Sequence, residues 1–173
     1  DAQRFSTNDY YFTPVALTDS TVTMQLNLGN DVTFAIRYTL EKGSYMVKME
    51  VLQHNMNRVI PENIPNLDIC WSQRMMRQEQ GKMFEERNSA IYYKYSNGSV
   101  ENLSESSDDT EETTNDLKWV SFKNQFFSTV LIADRSLKGA TMESKPIDKN
   151  SAFYSDYHKD MELYTSVEYK STD

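Results

Sequence analysis

Three consecutive stretches of the chain alternate apolar and polar residues with a period of two. They cover residues 21–28, 32–40 and 45–53. This period places the apolar side chains of a strand on one face and the polar side chains on the other. The segments between them, residues 29–31 and 41–44, contain Gly with Asn, Asp or Ser, which is typical of hairpin turns. The pattern therefore predicts an antiparallel meander of three half-buried strands.

Residues 117–133 form the longest apolar stretch of the sequence. Two halves, residues 119–122 and 126–133, are rich in aromatic and β-branched residues, and the polar residues 123–125 separate them. This composition favours two strands joined at a bend over one long helix. By spacing alone, the stretch is interpreted as a pair of buried core strands.

Shorter stretches predict the remaining elements. Pro14 indicates an edge strand, since proline cannot donate a backbone hydrogen bond. Further strands are predicted at residues 67–72, 90–95, 100–103, 140–143 and 161–170. Irregular structure is predicted at residues 74–87, 134–138 and 146–160. Eight or more strands with little helix predict an all-β, antiparallel β-sandwich that forms a single domain over residues 1–173.

Residues 104–116 carry six acidic residues among polar neighbours, so no apolar core can form from them. We expect an acidic mobile loop or hairpin tip that contributes solvation. The whole chain has a formal net charge of −8. This charge argues against nucleic-acid binding, which needs clustered Lys and Arg, and against broad adhesion to anionic lipid.

No run of apolar residues reaches the roughly 18 to 20 that a membrane-spanning helix needs. The start of the chain lacks the basic and apolar regions of a signal peptide. We interpret the sequence as a fragment of a longer protein. The single cysteine, Cys70, excludes an internal disulfide framework and a cysteine-rich zinc site. Because Cys70 lies in an apolar stretch, we expect it to be a small buried residue.

Candidate catalytic groups are few. His54 and His158 are the two histidines, and neither has a second His or Cys at metal-ligand spacing, so both are expected on the surface or in loops. The acidic pair Glu85 and Glu86 is adjacent in sequence and is expected to be solvated. No nucleophile, phosphate-binding or metal-binding motif is present. The sequence predicts no catalytic residue, no cofactor and no metal.

The residues of the long apolar stretch are similar to those of a known family. The pattern W-V-x-F-K-x-Q-F-F-x-x-x-L-I-A resembles the signature near the end of the large periplasmic domain of the YidC family of bacterial membrane-protein insertases. The positions that carry the resemblance are Trp119, Gln125, Phe126, Phe127, Leu131 and Ile132. Ala133 and Asp134, which follow, look most like the Bacteroidetes branch. Residues 38–51, 68–71, 90–95 and 167–170 fit the same domain in order.

The resemblance implies a super-sandwich similar in shape to galactose mutarotase, on the periplasmic side of the bacterial inner membrane. The implied function is non-enzymatic. The domain would assist insertion and folding of inner-membrane proteins, as part of a membrane-embedded parent, by contacting nascent membrane proteins or Sec translocon components such as SecDF. The six signature residues would be structural.

Two other functions stay open at this point. A carbohydrate-binding β-sandwich is the main alternative, because adjacent tyrosines such as Tyr92 and Tyr93 must place one ring outward, where it can line a groove. Such a module predicts a sugar-induced change in Tyr or Trp fluorescence. A sugar epimerase would instead depend on His54 or His158.

Overall fold

Two antiparallel sheets contain all eleven strands found among the described residues, which are 5–61 and 63–171 of this computed structural model. The all-β sandwich class is confirmed. Contacts between Cα atoms divide the chain into two compact units. The first comprises Asp1–Pro65 with Lys170–Asp173, and the second comprises Asn66–Tyr169. That the chain acts as a single domain stays a prediction.

The first unit is a four-stranded sheet in the order of the sequence. Its strands are β1 (Thr13–Leu17), β2 (Thr21–Asn27), β3 (Thr33–Leu40) and β4 (Val47–His54). Two 3₁₀ turns flank them, at Thr7–Asp9 and Met56–Arg58. The predicted meander is confirmed, and so is the edge strand at Pro14. The turn after β2 holds Gly29, Asn30 and Asp31 at φ values of 79°, 50° and 59°, a region in which Gly and Asn are tolerated best.

The register of this sheet collects the apolar side chains on one face. Tyr38 lies opposite Met49, and Ile36 lies opposite Val51. Within β2, β3 and β4 this apolar face is only half-buried or exposed, whereas Thr23 and Ala35 on the polar face are buried. The period of two therefore identified which residues share a face, but not which face is covered.

The second unit contains one helix and seven strands. Its elements are β5 (Asn66–Met76), α1 (Lys82–Arg87), β6 (Ala90–Tyr95), β7 (Val100–Asn102), β8 (Asp109–Thr113), β9 (Leu117–Lys123), β10 (Ser128–Pro146) and β11 (Tyr157–Glu168). The sheet order is β5-β11-β10-β9-β6-β7, and β8 also pairs with β10.

Strand β10 belongs to two layers, because it bends between them. Its beginning pairs with β9 up to Ile132, and from Leu137 onward it pairs with β11. The registers shift on both sides of Leu137, and Gly139 takes a positive φ of 63°. Such irregularities let the seven-stranded sheet fold over on itself, so that β10 makes the corner between its β5–β11 side and its β9–β6–β7 side.

The two layers bury a common core. Trp71 of β5 stacks on Phe122 of β9, with 3.8 Å between ring centroids. The buried residues of this core come from β5, β6, β9, β10 and β11 and include Met75, Ile91, Val120, Phe122, Leu137, Met142, Met161 and Leu163. Inward apolar side chains of both layers therefore exclude water from each other.

Several predicted boundaries are wrong. The turn expected at residues 134–138 lies inside β10, because the strand bends there without reversing. The irregular region expected at residues 74–87 contains the end of β5 and helix α1. Strand β5 continues because its ladder with β11 reaches Met76, opposite Tyr157.

Two further expectations need correction. The acidic segment 104–116 contains strand β8, and residue pairs from Asp109 to Thr113 extend along β10, so it is not a loop over these five residues. Its mobility stays a prediction. Cys70 is exposed rather than buried. Its neighbours Ile69 and Trp71 pack against the core, and successive strand residues point to opposite faces, so Cys70 must point outward.

Candidate functional site

The six residues that carry the family resemblance do not lie together in the core. Phe126 and Phe127 occupy the turn between β9 and β10, where the backbone N–H of Asn124 donates to the carbonyl oxygen of Phe127 at 2.7 Å. Their side chains are 67% and 64% exposed. The prediction that they belong to a buried strand is wrong, because the chain reverses at these residues.

The other four signature residues are in less exposed places. Trp119 and Leu131 are half-buried, and Leu131 packs against the core. Ile132 is exposed by 46%. The amide oxygen of Gln125 is buried and has no hydrogen-bond partner among the described residues. A purely structural role for all six residues stays a prediction, and the two exposed phenylalanines are the members that most need another explanation.

The side chain of Asn124 fixes the phenylalanine turn, which we define as residues 124–127. Its amide nitrogen donates to Glu85 Oε1 at 2.8 Å and to the carbonyl oxygen of Met76 at 3.3 Å. Its amide oxygen accepts hydrogen bonds from Ser89 Oγ at 2.7 Å and from the backbone N–H of Gln125 at 2.8 Å. One side chain thus joins the turn to β5, to α1 and to the segment before β6.

Glu85 on α1 is fully buried. Its carboxylate accepts hydrogen bonds from the backbone N–H groups of Gln78 at 2.9 Å and Glu79 at 3.3 Å, besides the one from Asn124. The prediction of a solvated acidic pair is therefore wrong for Glu85. A buried carboxylate is tolerated when donors surround it, and here these donors come from the loop between β5 and α1.

His158 and Lys159 at the start of β11 are also fully or almost fully buried. The register with β5 shifts between Tyr157 and Lys159, so His158 is the extra residue of a β-bulge. The prediction of a surface or loop position for His158 is wrong. Burial lowers the pKa of His158 to about 4, so its ring is uncharged at neutral pH. Neither ring nitrogen has a hydrogen-bond partner among the residues that the structure describes.

Lys159 is satisfied by backbone groups. Its ammonium donates to the carbonyl oxygen of Ser89 and, at 2.6 Å, to that of Glu105. Burial lowers the pKa of Lys159 to about 8. Below that pH the charged form predominates, and these two carbonyls partly compensate for the lost hydration.

These five residues form one polar end cluster: Glu85, Ser89, Asn124, His158 and Lys159. Its hydrogen bonds connect neighbouring segments at one end of the sandwich. The single hydroxyl proton of Ser89 has two acceptors within reach, Asn124 Oδ1 at 2.7 Å and the carbonyl oxygen of Glu85 at 2.9 Å. The hydroxyl is therefore not paired with a general base. The arrangement stabilises the end of the unit and does not contain an activated nucleophile.

His54 lies on the surface, as predicted for it. Its Nε2 atom is 3.1 Å from Asp31 Oδ2. Across residues 5–61 and 63–171, no group of three or more His, Cys, Asp or Glu side chains is placed to hold a metal ion.

Shallow cavities lie among the described residues of the second unit, and three of them are lined by candidate functional side chains. One, of about 260 Å³, is lined by Met76, Asn124 and Phe127 among others. A second, of about 520 Å³, lies beside Arg87 and Tyr92. The third, of about 480 Å³, is lined by aromatic, basic and acidic side chains, including Arg74, Phe153, Tyr157, Asp160 and Glu162.

Exposed apolar side chains cluster on one face of the sheet of the first unit. We call it the apolar sheet face and define it by its exposed members, Leu17, Leu40, Val47, Met49 and Val51. Leu40 is paired with Val47, and Tyr38 with Met49, so adjacent strands contribute to one continuous surface. Phe12 covers part of one end by packing edge-on against Phe34, at 6.4 Å between centroids. Contiguous exposed apolar surface of this kind marks interaction sites in soluble domains.

No helix among the described residues is long and apolar enough to cross a membrane. The family model of the YidC periplasmic domain matches residues 2–172. The chain is 40% identical over 143 residues to the membrane protein insertase YidC of Parabacteroides distasonis, which covers 82% of this chain and 23% of that protein.

Other relatives are similar to the same extent. The insertase YidC of Phocaeicola vulgatus is 37% identical over 158 residues, which are 91% of this chain and 25% of the relative. That of Bacteroides fragilis is 35% identical over 158 residues, 91% of this chain and 26% of the relative. The chain spans about a quarter of the length of these proteins, all from Bacteroidetes. No solved structure matches it significantly. This chain belongs to the family of YidC periplasmic domains.

Proposed function

We propose that this domain is a non-enzymatic part of a membrane-protein insertase and that it binds apolar segments of nascent membrane proteins on its apolar sheet face. It acts on the periplasmic side of the inner membrane and assists the insertion and folding of these proteins. The observation that carries the proposal is the exposure of Leu17, Val47, Met49 and Val51 on one continuous face.

The chemistry of the face supports this choice of client. A segment that leaves water for a membrane is itself apolar, and burying it against Met49 and Val51 gains roughly 25 cal/mol per Å² of apolar surface. The face carries no charged side chain at these paired positions, so binding requires no desolvation of ions. A Sec component such as SecDF is the second partner that we propose for the domain, through surfaces still to be assigned.

A matched pair of double variants in the full-length insertase tests the proposal. Met49→Gln with Val51→Gln makes the apolar sheet face polar, whereas Lys48→Gln with Glu50→Gln changes the opposite face of the same strand. We expect the variant Met49→Gln with Val51→Gln to lower insertion of an insertase-dependent client several-fold at equal insertase level. The variant Lys48→Gln with Glu50→Gln should leave insertion unchanged. Equal insertion by both variants would reject the proposed face.

The cavity beside Phe153 and Tyr157 favours carbohydrate binding as a second candidate function, because aromatic rings and carboxylates there resemble a sugar site. Against it, the Arg74 guanidinium lies 4.3 Å from the centroid of the Phe153 ring and forms a salt bridge with Asp160 at 2.8 Å. A sugar would have to displace Arg74. A saturable change of Tyr or Trp fluorescence with added monosaccharides or glycans, lost in Tyr157→Ala, would support this function.

A further inference from the structure

We propose that the second unit touches the surface of a phospholipid bilayer with the end that carries the phenylalanine turn and helix α1. The contact surface, which we call the apolar end patch, consists of Met76, Met83, Phe84, Phe126 and Phe127. This inference concerns the seven-stranded unit and does not depend on client binding at the apolar sheet face.

The exposure of these side chains is unusual for their type. Phe84, Phe126 and Phe127 are each exposed by 64% to 67%, and Met83 by 63%. Helix α1 is inverted relative to an ordinary surface helix, because Met83 and Phe84 point to solvent while Glu85 points into the protein. A protein that only had to close the end of the sandwich would favour the opposite arrangement.

Hydrogen bonds hold the parts of the patch together. Asn124 joins the phenylalanine turn to Met76 and to Glu85, one residue after Phe84. The Lys123 ammonium donates to the carbonyl oxygen of Asn88 at 2.7 Å. The side-chain amide of Asn88 in turn donates to the carbonyl oxygen of Phe84 at 2.7 Å. The exposed rings are therefore presented by a fixed scaffold, which lowers the entropy lost on binding.

Cationic side chains accompany the patch. The same segments carry Arg77, Lys82, Arg87 and Lys123. Arg87 is exposed, whereas the other three are half-buried and donate to the carbonyl oxygens of Ser155, Tyr154 and Asn88. Their acidic residues are Glu79, Glu86 and the buried Glu85, so these segments carry one formal positive charge in excess. The exposed Arg87 beside exposed aromatic residues suits the interface of a bilayer, where rings enter the headgroup region and a cation meets phosphates.

The net charge of −8 would oppose this contact only if it were spread evenly over the surface. Charges farther away than the Debye length, about 8 Å at physiological salt, are largely screened. Arg87, three residues after Phe84, therefore acts on the patch more strongly than the acidic residues of distant segments. Binding should be oriented and modest, rather than the broad adhesion that the overall charge excludes.

Tryptophan fluorescence gives the most direct test. In the 173-residue chain, Phe127→Trp places a reporter in the patch, and Tyr11→Trp places one at a residue of the first unit that is 96% exposed. Spectra of the parent chain correct for Trp71 and Trp119. With vesicles of phosphatidylethanolamine and phosphatidylglycerol in a 3:1 ratio, we expect a blue shift at position 127 and quenching by brominated lipid. The reporter at position 11 should show neither, and absence of both effects at position 127 would overturn the proposal.

Co-sedimentation with the same vesicles separates the apolar and electrostatic parts. Phe126→Ser with Phe127→Ser should weaken binding roughly tenfold or more, while Tyr11→Ser should not change it. Arg87→Glu should weaken binding roughly five- to tenfold on these vesicles and little on pure phosphatidylcholine. Unchanged sedimentation of the double phenylalanine variant would contradict a lipid contact and indicate a protein partner for the patch.

Discussion

Alternating apolar side chains are buried in the second unit but largely exposed in the first. In the second unit, two layers connected by the bent strand β10 cover each other's apolar side chains, and Trp71 stacks on Phe122. In the first unit, the alternation is cleaner, yet Met49 and Val51 remain exposed. A period of two thus reports that side chains share a face. Burial of that face depends on what lies opposite, which only a second layer or a partner supplies.

Helix α1 makes the same point at the level of single residues. Its apolar Met83 and Phe84 are outside and its charged Glu85 is inside. The buried carboxylate is stable because N–H groups of the preceding loop and Asn124 donate to it. Hydrogen-bond partners, rather than polarity, decide which of these side chains can be buried.

The strongest test of this comparison removes a ring from the shared core. Phe122→Ala should lower the free energy of unfolding by about 3 to 5 kcal/mol, because it leaves a cavity under Trp71. Phe126→Ala, two-thirds exposed in the turn nearby, should cost less than about 1 kcal/mol. Denaturant titration of both variants measures the difference. Similar losses would mean that the turn is packed as tightly as the core.

The buried histidine predicts instability in acid. The pKa of His158 falls from 6.5 to about 4 on folding, so the unfolded chain binds the proton first as the pH drops. The neutral His158 ring makes its full contribution to the free energy of unfolding above pH 6.5. As the pH falls towards 4, the free energy of unfolding should decrease by up to about 3 kcal/mol. Thermal unfolding across this range measures the slope. His158→Phe should flatten it, and an unchanged slope would place the acid sensitivity elsewhere.

Removing the charge of the buried carboxylate tests the polar end cluster. Glu85→Gln should destabilise the protein by about 2 kcal/mol, because an amide nitrogen would face N–H groups that now donate to a carboxylate oxygen. Glu86→Gln, which alters only a weak contact with Lys82 at 4.0 Å, is the matched control and should change stability by less than about 0.5 kcal/mol. Chemical denaturation of the two variants measures both effects. Equal stabilities would show that the cluster is not what closes this end of the sandwich.

The corner of β10 predicts a smaller effect. A Cβ atom at Gly139 would lie 2.9 Å from the carbonyl oxygen of Thr113, and φ is already positive there. Gly139→Ala should therefore cost about 2 kcal/mol. Gly29→Ala in the turn of the first unit also has positive φ but meets nothing within 4 Å, so it should cost about 1 kcal/mol. A larger loss of stability from Gly29→Ala than from Gly139→Ala, measured by denaturant unfolding, would argue against crowding at the corner.

The smallest effect is expected where the apolar side chains are exposed. Met49→Ser with Val51→Ser should change the free energy of unfolding by less than about 1 kcal/mol, because water already reaches about half of each side chain. Thermal or denaturant unfolding of the 173-residue chain measures it. A loss comparable to that of Phe122→Ala would show that the apolar sheet face contributes to a core.

Much of the fold could be predicted from local patterns. The meander followed from the period of two and from Gly29 with its Asn and Asp neighbours, and the bend before Phe126 followed from residues 123–125. The long strand β10 could not be predicted in this way, because the residues that bend it have the composition of a turn. Asp109–Thr113 likewise has no apolar signal and forms a strand only because β10 offers its edge.

The candidate surfaces were only partly predictable. The resemblance identified Phe126 and Phe127, but the composition favoured a buried strand for them. Glu85 and Lys159 gave no signal, since their partners are backbone groups or residues distant in sequence, such as Glu105 for Lys159. His158 is buried at a β-bulge, which the sequence does not mark either. Tertiary contacts of this kind cannot be derived from spacing along one chain.

Site-specific photo-crosslinking in the full-length insertase tests the central claim most directly. A photoreactive phenylalanine analogue replaces Met49 on the apolar sheet face or its neighbour Lys48 on the opposite face, and a membrane-protein client is then synthesised. We predict crosslinks to the client's apolar segments from position 49 and none from position 48. Crosslinks from position 49 only to the insertase's own chain, or equal client crosslinks from both positions, would contradict the proposal.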